Sequence, residues 1–243
     1  MNQVSRRALV TGGSGDIGGA ICRTLAREGW HAIVHANSNP ERAQGVVDAI
    51  TDSGGTAESI AFDLADGAAT RAALEKLLEA GPIAALVHNA GIHDDAPLAG
   101  MREEQWKRVL DVSLNGFFHV VQPLLLPMSR TRFGRIVCIS SVAAVIGNRG
   151  QVNYAAAKSA LHGAAKSLAR EMAARGVTVN VIAPGLIEGS MTRELFETEQ
   201  IKRMIPAARM GTPQEVANAV AFLCSDGASY INGQVIGVNG GMA

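Results

Sequence analysis

The chain is poor in aromatic residues and carries no net charge. Of its 243 residues, only 4% are aromatic, and 22 basic side chains are balanced by 22 acidic ones. This balance offers no basic surface for nucleic acid or for an anionic membrane, so neither partner is predicted. A net charge of zero also removes the repulsion between copies of a chain, which favours self-association.

Cysteine is scarce as well. Cys22, Cys138 and Cys224 are odd in number and far apart, and they form neither a Cys-x-x-Cys pair nor the spacing of a metal site. A disulfide framework is therefore excluded. We predict reduced, buried thiols in a cytoplasmic protein that holds no metal.

Long apolar runs are missing. The first ten residues, MNQVSRRALV, lead into no extended apolar stretch, so no signal peptide is predicted. No run of about 18 apolar residues exists, so no membrane span is expected. Hydrophobic residues still make up 47% of the chain, enough for a sizeable core. No linker or repeat divides the sequence, and we predict a single domain over residues 1–243.

What the chain does contain is a regular alternation of short apolar runs and segments of helical periodicity. Helices are predicted at residues 17–28, 40–50, 68–80, 102–128, 153–176 and 213–224, with Pro123 and Pro127 bending or ending the fourth. Strands are predicted at residues 7–11, 31–35, 58–64, 84–91, 135–140, 177–185 and 234–241. The pattern predicts an α/β fold, a doubly wound Rossmann-type domain with a seven-stranded parallel sheet flanked by helices. Ligands are expected beyond the carboxyl ends of the strands.

The segment TGGSGDIGGA, residues 11–20, follows the first predicted strand and opens the first helix. Glycines permit a tight turn, and the start of a helix offers free N–H groups to a pyrophosphate. A glycine cluster also occurs in ordinary turns. Its position after the first strand of such a sheet favours a dinucleotide site.

Thr11, Gly12 and Gly18 match the Thr-Gly-x-x-x-Gly-x-Gly fingerprint of the short-chain dehydrogenases/reductases, and the chain resembles this family. The resemblance implies an oxidoreductase with a nicotinamide dinucleotide. Asp16 departs from the fingerprint because it stands at the middle glycine. Asp tolerates left-handed backbone, but its charge suits a pyrophosphate only if it points away or caps the helix.

Further segments extend the resemblance over nearly the whole chain. The acid of FDLAD lies where the family contacts the adenine ring, the asparagine of HNAG on the adenosine side, and the turn after APG beside the carboxamide. Taken alone, these are also an ordinary cap, β-turn and proline turn. The cofactor contacts implied by the resemblance are Gly12, Ser14, Asp16, Ile17, Gly18, Asn37, Ser38, Asp63, Leu64, Asn89, Ala90, Gly91, Tyr154, Lys158, Pro184, Gly185 and Ile187.

The end of the second strand informs on cofactor choice. An acid there would bind the ribose hydroxyls and repel a 2′-phosphate, but residues 34–39 read VHANSN. We therefore predict NADPH rather than NADH. Relatives that use NADPH often carry a basic residue where Gly15 stands here. Asn37, Ser38 and Arg42 are thus expected to bind the phosphate.

The segment NYAAAK, residues 153–158, holds one of only two tyrosines in the chain. Tyr154 and Lys158 are one helical turn apart and so share a face. A phenol of pKa about 10 is a poor acid near neutral pH, and a neighbouring ammonium is expected to lower that pKa. An amphipathic helix with a surface lysine would show the same spacing. Beside the dinucleotide fingerprint, the pair matches the catalytic Tyr-x-x-x-Lys of the family.

Ser141 lies where the family places its catalytic serine, which implies that its hydroxyl holds the substrate carbonyl oxygen, while Ser140 is structural. Many members add a catalytic asparagine. Ser113 falls at that place, and Asn115 lies two residues later on a different helix face, so the role is not transferred to Asn115. Ser113 either supports a water path to Lys158, acts through its carbonyl, or is structural.

Within the family, residues 147–187, 204–226 and 233–242 are most similar to the 3-oxoacyl-acyl-carrier-protein reductases, in particular the ketoreductases of bacterial aryl polyene pathways. This implies reduction of a 3-oxoacyl thioester on an acyl carrier protein, in fatty acid or polyene biosynthesis. It implies docking of the acidic carrier by Arg132 and Arg175, and a substrate lid at about residues 186–209. A homotetramer is implied through the helices at 102–128 and 153–176 and through the last helix and strand.

Two other readings stay open. One keeps the chemistry but changes the substrate to a free ketone, sugar or alcohol. The other is a non-catalytic nucleotide-binding sensor or partner subunit, which the departures at Asp16 and Ser113 support and the complete Ser141, Tyr154 and Lys158 oppose.

Overall fold

A computed structural model of the protein describes residues 6–189 and 197–243, and its strands form one parallel sheet. The strand order is β3-β2-β1-β4-β5-β6-β7, with every neighbouring pair parallel. The predicted fold class is confirmed. The strands are β1 (Arg7–Thr11), β2 (His31–Ala36), β3 (Thr56–Ala61), β4 (Ile83–His88), β5 (Gly134–Ile139), β6 (Val177–Pro184) and β7 (Val235–Val238).

Helices cover both faces of the sheet. Two core layers lie on opposite faces of the sheet. In the order of the helices given at the end of this paragraph, the first, second and last pack on one face, and the third, fifth and seventh pack on the other. This double cover explains why β5 and β6 are buried along their whole length and are mostly apolar. The helices are α1 (Asp16–Arg27), α2 (Pro40–Asp52), α3 (Gly67–Glu79), α4 (Glu103–Leu110), α5 (Gly116–Thr131), α6 (Ala143–Ile146), α7 (Val152–Met172), α8 (Thr198–Met204) and α9 (Pro213–Cys224).

The edge strand β3 differs from the prediction of 58–64, since pairing starts at Thr56 and ends at Ala61. Two aspartates make the chain leave the sheet. The Asp63 carboxylate accepts from the Ala65 N–H (2.9 Å), and Asp66 caps α3 by accepting from two N–H groups. Such local hydrogen bonds compete with strand pairing. They place Asp63 in a turn at the carboxyl edge of the sheet.

The predicted fourth helix is interrupted at a different place from the one expected. Pro123 and Pro127 lie inside α5, which continues to Thr131, so of the two expected effects an end of the helix at these prolines was wrong. Both prolines are half-exposed, and the helix is held by buried contacts of Val120, Leu124 and Met128 with the core. The break comes instead from a π turn, Asp111–Asn115, between α4 and α5. Single π turns within helices often mark functional sites.

The combined segment Glu103–Thr131 is long and apolar enough, by length and composition alone, to cross a membrane. Its most apolar window has a mean hydropathy of 1.4, and 39% of that window is buried. Helices that build a protein core share these features. Here Phe117, Val120 and Val121 belong to the core. The absence of a membrane partner stays a prediction.

The three cysteines are free and fully buried. Burial raises the pKa of Cys22, Cys138 and Cys224 to about 12, which keeps them protonated and unreactive. Across residues 6–189 and 197–243, no group of three or more His, Cys, Asp or Glu side chains is arranged to hold a metal ion.

Candidate active site

A cleft of about 1040 Å³ lies at the carboxyl ends of the strands, where the switch in strand order around β1 and β4 opens the sheet. It is lined by all seventeen residues predicted to contact the cofactor, from Gly12 to Ile187, and by Ser141. Ser113 does not line it, and neither do Arg132 and Arg175. The predicted residues thus converge on one cavity, and their individual roles remain predictions.

The glycine turn has the shape that a dinucleotide needs. Gly12 takes a left-handed conformation (φ 63°), and a Cβ at Gly18 would collide with the Gly12 carbonyl oxygen. The Asn89 amide donates to the carbonyls of Thr11 and Gly12 at 3.0 and 3.1 Å, which ties the turn to the end of β4. The turn therefore places bare backbone and the start of α1 in the cleft, and these residues fit a bound pyrophosphate.

Asp16, the departure from the fingerprint, is the first residue of α1 and lines the cleft. The N-cap of this helix is Gly15, the residue before it. A Cβ placed on Gly189 would lie 2.7 Å from Asp16 Oδ2, so the carboxylate is directed at the segment that follows β6. Of the two arrangements compatible with a pyrophosphate, the structure shows a carboxylate packed against the chain beyond Ile187.

The predicted phosphate-binding residues lie together at the other end of the cleft. Asn37, Ser38 and Arg42 all line it where β2 meets α2. The Asn39 side chain accepts from the Arg42 N–H (3.0 Å) and caps α2. Free N–H groups at this helix start and one guanidinium suit an added phosphate.

The NYAAAK segment forms the first turns of α7. Asn153 is fully buried and fixes this start, since its amide donates to the carbonyls of Asp94 (3.0 Å) and Gln105 (3.2 Å) and its oxygen accepts from the Tyr154 N–H. Tyr154 and Lys158 then share the face toward the cleft, with Lys158 Nζ 5.9 Å from the Tyr154 ring centroid. The predicted convergence is present.

Lys158 is 2% exposed, and its Nζ donates to the carbonyls of Ile139 (2.9 Å) and Ala90 (3.5 Å). Burial lowers the pKa of Lys158 to about 8. The side chain joins the ends of β4 and β5 beneath the cleft. A buried amine with this pKa titrates near physiological pH, as groups at catalytic sites often do.

The expected lowering of the Tyr154 pKa is not what the structure shows. Burial raises the pKa of Tyr154, the Ser141 hydroxyl lowers it, and the Asp95 charge raises it further. The Lys158 ammonium donates to backbone carbonyls instead of to the phenol, so desolvation has the largest effect on the Tyr154 pKa. The expectation was wrong for this state of the protein, and Tyr154 is a protonated phenol at neutral pH.

Ser141 and Ser140 lie in different surroundings, and their roles stay predictions. Ser141 lines the cleft next to Tyr154, and its Oγ accepts from the Ala143 N–H (3.1 Å), which aligns the start of α6. Ser140 is buried and donates to the Lys158 carbonyl (3.0 Å), which holds α7 on the sheet. The Ser141 and Tyr154 side chains are neighbours, since a hydrogen bond between them is one of the influences on the Tyr154 pKa.

Ser113 lies in the π turn and is fully buried, while Asn115 is exposed and donates to Asp111 (2.7 Å). Asn115 does not line the cleft. A Cβ on Gly91 would lie 3.4 Å from Ser113 Oγ and 2.7 Å from Lys158 Nζ. Ser113 thus lies beneath the cleft, behind Gly91.

Two histidines were missed by sequence reasoning. His35 lies at the end of β2 and accepts from the Gly12 N–H through Nδ1 (3.0 Å). His88 lies at the end of β4, and its Nε2 is 2.9 Å from the Ser113 carbonyl oxygen. The available signal was their position, since both are polar residues at the carboxyl ends of strands that flank β1.

Because these two histidines are buried, we expect the folded protein to lose stability in acid. Burial, helped by the Lys158 charge, lowers the pKa of His88 from 6.5 to about 3, and burial also lowers that of His35. Below pH 6.5 the unfolded chain binds a proton that folded His88 rejects, so stability is full above pH 6.5 and falls toward pH 3. We expect about 2 kcal/mol less unfolding free energy at pH 5.0 than at pH 7.5 from His88 alone. Urea unfolding of the wild type and of His88→Gln at both pH values checks this, and an equal pH dependence in the two proteins would contradict it.

Arg132 and Arg175 lie close together on the surface. Arg132 ends α5 in a left-handed conformation, and its guanidinium donates to the Ala174 carbonyl (3.2 Å) next to Arg175. The two residues precede β5 and β6. They are therefore at the amino edge of the sheet, opposite the cleft.

The predicted lid at 186–209 is described in part. Ile187 pairs with Gly211, and α8 follows farther along, but residues 190–196 lie outside the described part of the chain. The lid boundary stays a prediction.

Comparison with known proteins decides the family. A family model described as enoyl-(acyl carrier protein) reductase matches residues 13–243. The 3-oxoacyl-acyl-carrier-protein reductase FabG of Aggregatibacter actinomycetemcomitans is 45% identical over 98% of this chain and 100% of its own. FabG of Escherichia coli (strain K12) is 45% identical over 100% of this chain and 99% of its own length. FabG of Staphylococcus aureus (strain Mu50 / ATCC 700699) is 42% identical over 99% of this chain and 99% of its own length. The chain belongs to the short-chain dehydrogenase/reductase family.

As a short-chain dehydrogenase/reductase, the protein is an oxidoreductase that uses a nicotinamide cofactor. The resemblance inferred from its motifs is confirmed over nearly the whole chain. Family membership explains why the cleft joins a dinucleotide-shaped turn to a serine, a tyrosine and a lysine.

Proposed function

We propose that the protein reduces a 3-oxoacyl thioester, carried on an acyl carrier protein, to the 3-hydroxyacyl form with NADPH in the cytoplasm. One observation carries the proposal: Ser141, Tyr154 and Lys158 meet at the dinucleotide cleft. The names of the relatives support the substrate class. Similarity of the segments around Tyr154 to aryl polyene ketoreductases favours a polyene or fatty acid pathway.

When bound, the nicotinamide cofactor would supply a hydride to the substrate carbonyl carbon. The residues of the chain manage the charge that appears on oxygen. Ser141 and Tyr154 donate hydrogen bonds to that oxygen, and Tyr154 then gives it a proton. Lys158 lies behind the phenol, and its positive charge favours the phenolate that remains. The raised pKa of Tyr154 suits this direction, since it keeps the acid protonated before the reaction.

A spectrophotometric assay tests the function. NADPH oxidation is followed at 340 nm with a short 3-oxoacyl thioester, with the matching 2-enoyl thioester and with simple ketones. We expect turnover of the 3-oxoacyl compound. Activity only on the enoyl compound would support the reaction named by the matched family model. Activity only on ketones would favour a free substrate, and NADPH binding without any turnover a sensor.

Arg42 tests the cofactor preference. Arg42 lines the cleft, and residues 34–39 at the end of β2 carry no acid that would repel a 2′-phosphate. Arg42→Ala should raise KM for NADPH about tenfold, the cost of one charge-assisted hydrogen bond, and leave KM for NADH unchanged. Arg71→Ala on α3 is the matched control. Equal changes for both cofactors in Arg42→Ala would remove the phosphate role.

If the carrier docks at Arg132 and Arg175, the copy that binds the carrier is not the copy that reduces its substrate. The two arginines are at the amino edge of the sheet, and β6 alone has 8 residues, which at about 3.3 Å each span roughly 25 Å to the cleft. A carrier docked there would therefore serve the cleft of a neighbouring copy. We propose the homotetramer as that assembly.

Exposed apolar side chains support such an assembly. Phe118 and Leu126 on α5 are 61% and 69% exposed, and Phe222 on α9 is 53% exposed. These helices are among those expected to form the contacts between copies. Apolar residues exposed on one helix face are typical of surfaces that bind another chain.

Reversing both docking charges should separate carrier recognition from catalysis. In Arg132→Glu/Arg175→Glu, kcat/KM should fall about 30-fold for the carrier-bound substrate, because two attractive contacts become repulsive, and change less than threefold for a free thioester analogue. Arg27→Glu/Arg71→Glu, on α1 and α3, carries the same change of charge elsewhere. Equal losses with both substrates would refute the docking role.

A further inference from the structure

His88 is fully buried between the two segments that frame the active site. Its Nε2 lies 2.9 Å from the Ser113 carbonyl oxygen in the π turn, and its Nδ1 lies 3.5 Å from Thr11 Oγ1 at the glycine turn. The ring also packs edge-on against Phe117, with centroids 5.7 Å apart. The imidazole is therefore the direct polar link between the cofactor turn and the π turn.

The hydrogen-bond partners determine the direction of this link. The Ser113 carbonyl can only accept, so Nε2 carries the proton. Thr11 Oγ1 already accepts from the N–H groups of Asn89 (3.0 Å) and Ala90 (3.1 Å), so its own proton points to His88 Nδ1. A single neutral tautomer satisfies both ends.

The π turn held by His88 lies against Lys158. Ser113 Oγ and Lys158 Nζ both border the space above Gly91, where a Cβ would lie 3.4 and 2.7 Å from them. Lys158 has three donors, and the carbonyls of Ile139 and Ala90 account for two. Ser113 Oγ is itself a buried oxygen that has no hydrogen-bond partner in the described part of the chain. The third Lys158 donor and the unpartnered Ser113 hydroxyl thus both lie beside Gly91.

We propose that His88 is a positioning residue, which sets the π turn so that Ser113 completes the surroundings of Lys158. A shift of the π turn would change the polar contacts of the Lys158 ammonium, and through it the Tyr154 proton. The inference rests on the proposed reductase function for its kinetic consequence. The hydrogen bond by which His88 fixes the position of the π turn does not depend on the substrate.

Two variants separate positioning from core filling. His88→Phe keeps the ring against Phe117 but removes both hydrogen bonds, and it leaves a buried carbonyl unsatisfied. His88→Gln carries an amide N–H that can donate to the Ser113 carbonyl again. His31→Phe is the matched control, because His31 contacts Glu58 (3.2 Å) at the amino end of β2, away from the cleft.

We expect His88→Phe to lower kcat about 10- to 30-fold, the range for one unsatisfied buried group, with KM for NADPH and thioester within threefold. The alkaline limb of its pH profile should shift, since the surroundings of Lys158 change. His88→Gln should recover kcat to within about threefold of the wild type, and His31→Phe should match the wild type. Hydrogen exchange should quicken in residues 108–117 of His88→Phe only. If that variant does not fold, His88→Asn, whose shorter amide does not reach the carbonyl, replaces it.

Several results would overturn the inference. One is kcat of His88→Phe within twofold of the wild type with an unchanged pH profile, and another is equal impairment of folded His88→Phe and His88→Gln. If the wild type does not reduce 3-oxoacyl thioesters, the proposed function fails, and hydrogen exchange still decides on His88. Unchanged exchange in residues 108–117 would then show that His88 fills space only.

Discussion

Replacing Tyr154 with Phe should lower kcat for thioester reduction about 10³-fold, within the range for loss of a general acid. In the proposed reaction the phenol, which lines the cleft with Ser141, gives its proton to the substrate oxygen, and phenylalanine keeps the ring but removes the hydroxyl. NADPH affinity should change less than threefold, because the glycine turn that holds the dinucleotide is untouched. Stopped-flow absorbance for the hydride step and fluorescence titration for NADPH measure the two quantities.

The chain supplies a matched control. Tyr230 is the other tyrosine and is 100% exposed. Tyr230→Phe removes the same hydroxyl from the surface and should leave kcat unchanged. Turnover of Tyr154→Phe within tenfold of the wild type would show that another group, or water, supplies the proton.

Lys158→Met should be almost as damaging, with kcat reduced about 10³-fold and NADPH affinity reduced about tenfold. Methionine fills a similar volume but removes the charge behind Tyr154 and the hydrogen bonds to Ile139 and Ala90. The two strand ends that border the cleft then lose their common donor. The loss in both parameters distinguishes this variant from Tyr154→Phe, which affects kcat alone.

Lys166→Met is the control for Lys158→Met, since Lys166 lies on the same helix α7 but is exposed. It should behave as the wild type in both assays and in thermal unfolding. A Lys158→Met protein with normal kcat would refute the role of the ammonium. Lys158→Met leaves the carbonyls of Ile139 and Ala90 without their donor, which can also unfold the protein locally. An intact circular-dichroism spectrum is therefore required before the loss of kcat or of NADPH affinity is assigned to chemistry.

Much of the site could be predicted because its residues follow local rules. Gly12 and Gly18 belong to a turn whose shape depends on backbone freedom over a few residues. Tyr154 and Lys158 share a face because helical geometry is regular, and Gly176 ends the preceding segment in a left-handed conformation (φ 73°) as expected. The strand–helix alternation gave the sheet type by the same reasoning.

Other features depend on contacts between distant segments and were missed or misjudged. The prolines of α5 were expected to bend or end the helix, yet they do not end it, and the helix continues to Thr131. The pKa of Tyr154 is raised rather than lowered, since burial is set by the whole cleft and the Lys158 charge is turned to carbonyls from other strands. No local pattern reveals either.

By itself, the sequence determined the parallel α/β fold, the glycine turn and the serine, tyrosine and lysine of the site, because these rest on backbone freedom and on the repeat of helix and strand. Only the tertiary structure decided that His35 bonds the Gly12 N–H, that His88 contacts Thr11 and Ser113, and where Arg132 lies relative to the cleft. The reason is that hydrogen bonds and burial between segments far apart in sequence exist only once the sheet has brought those segments together.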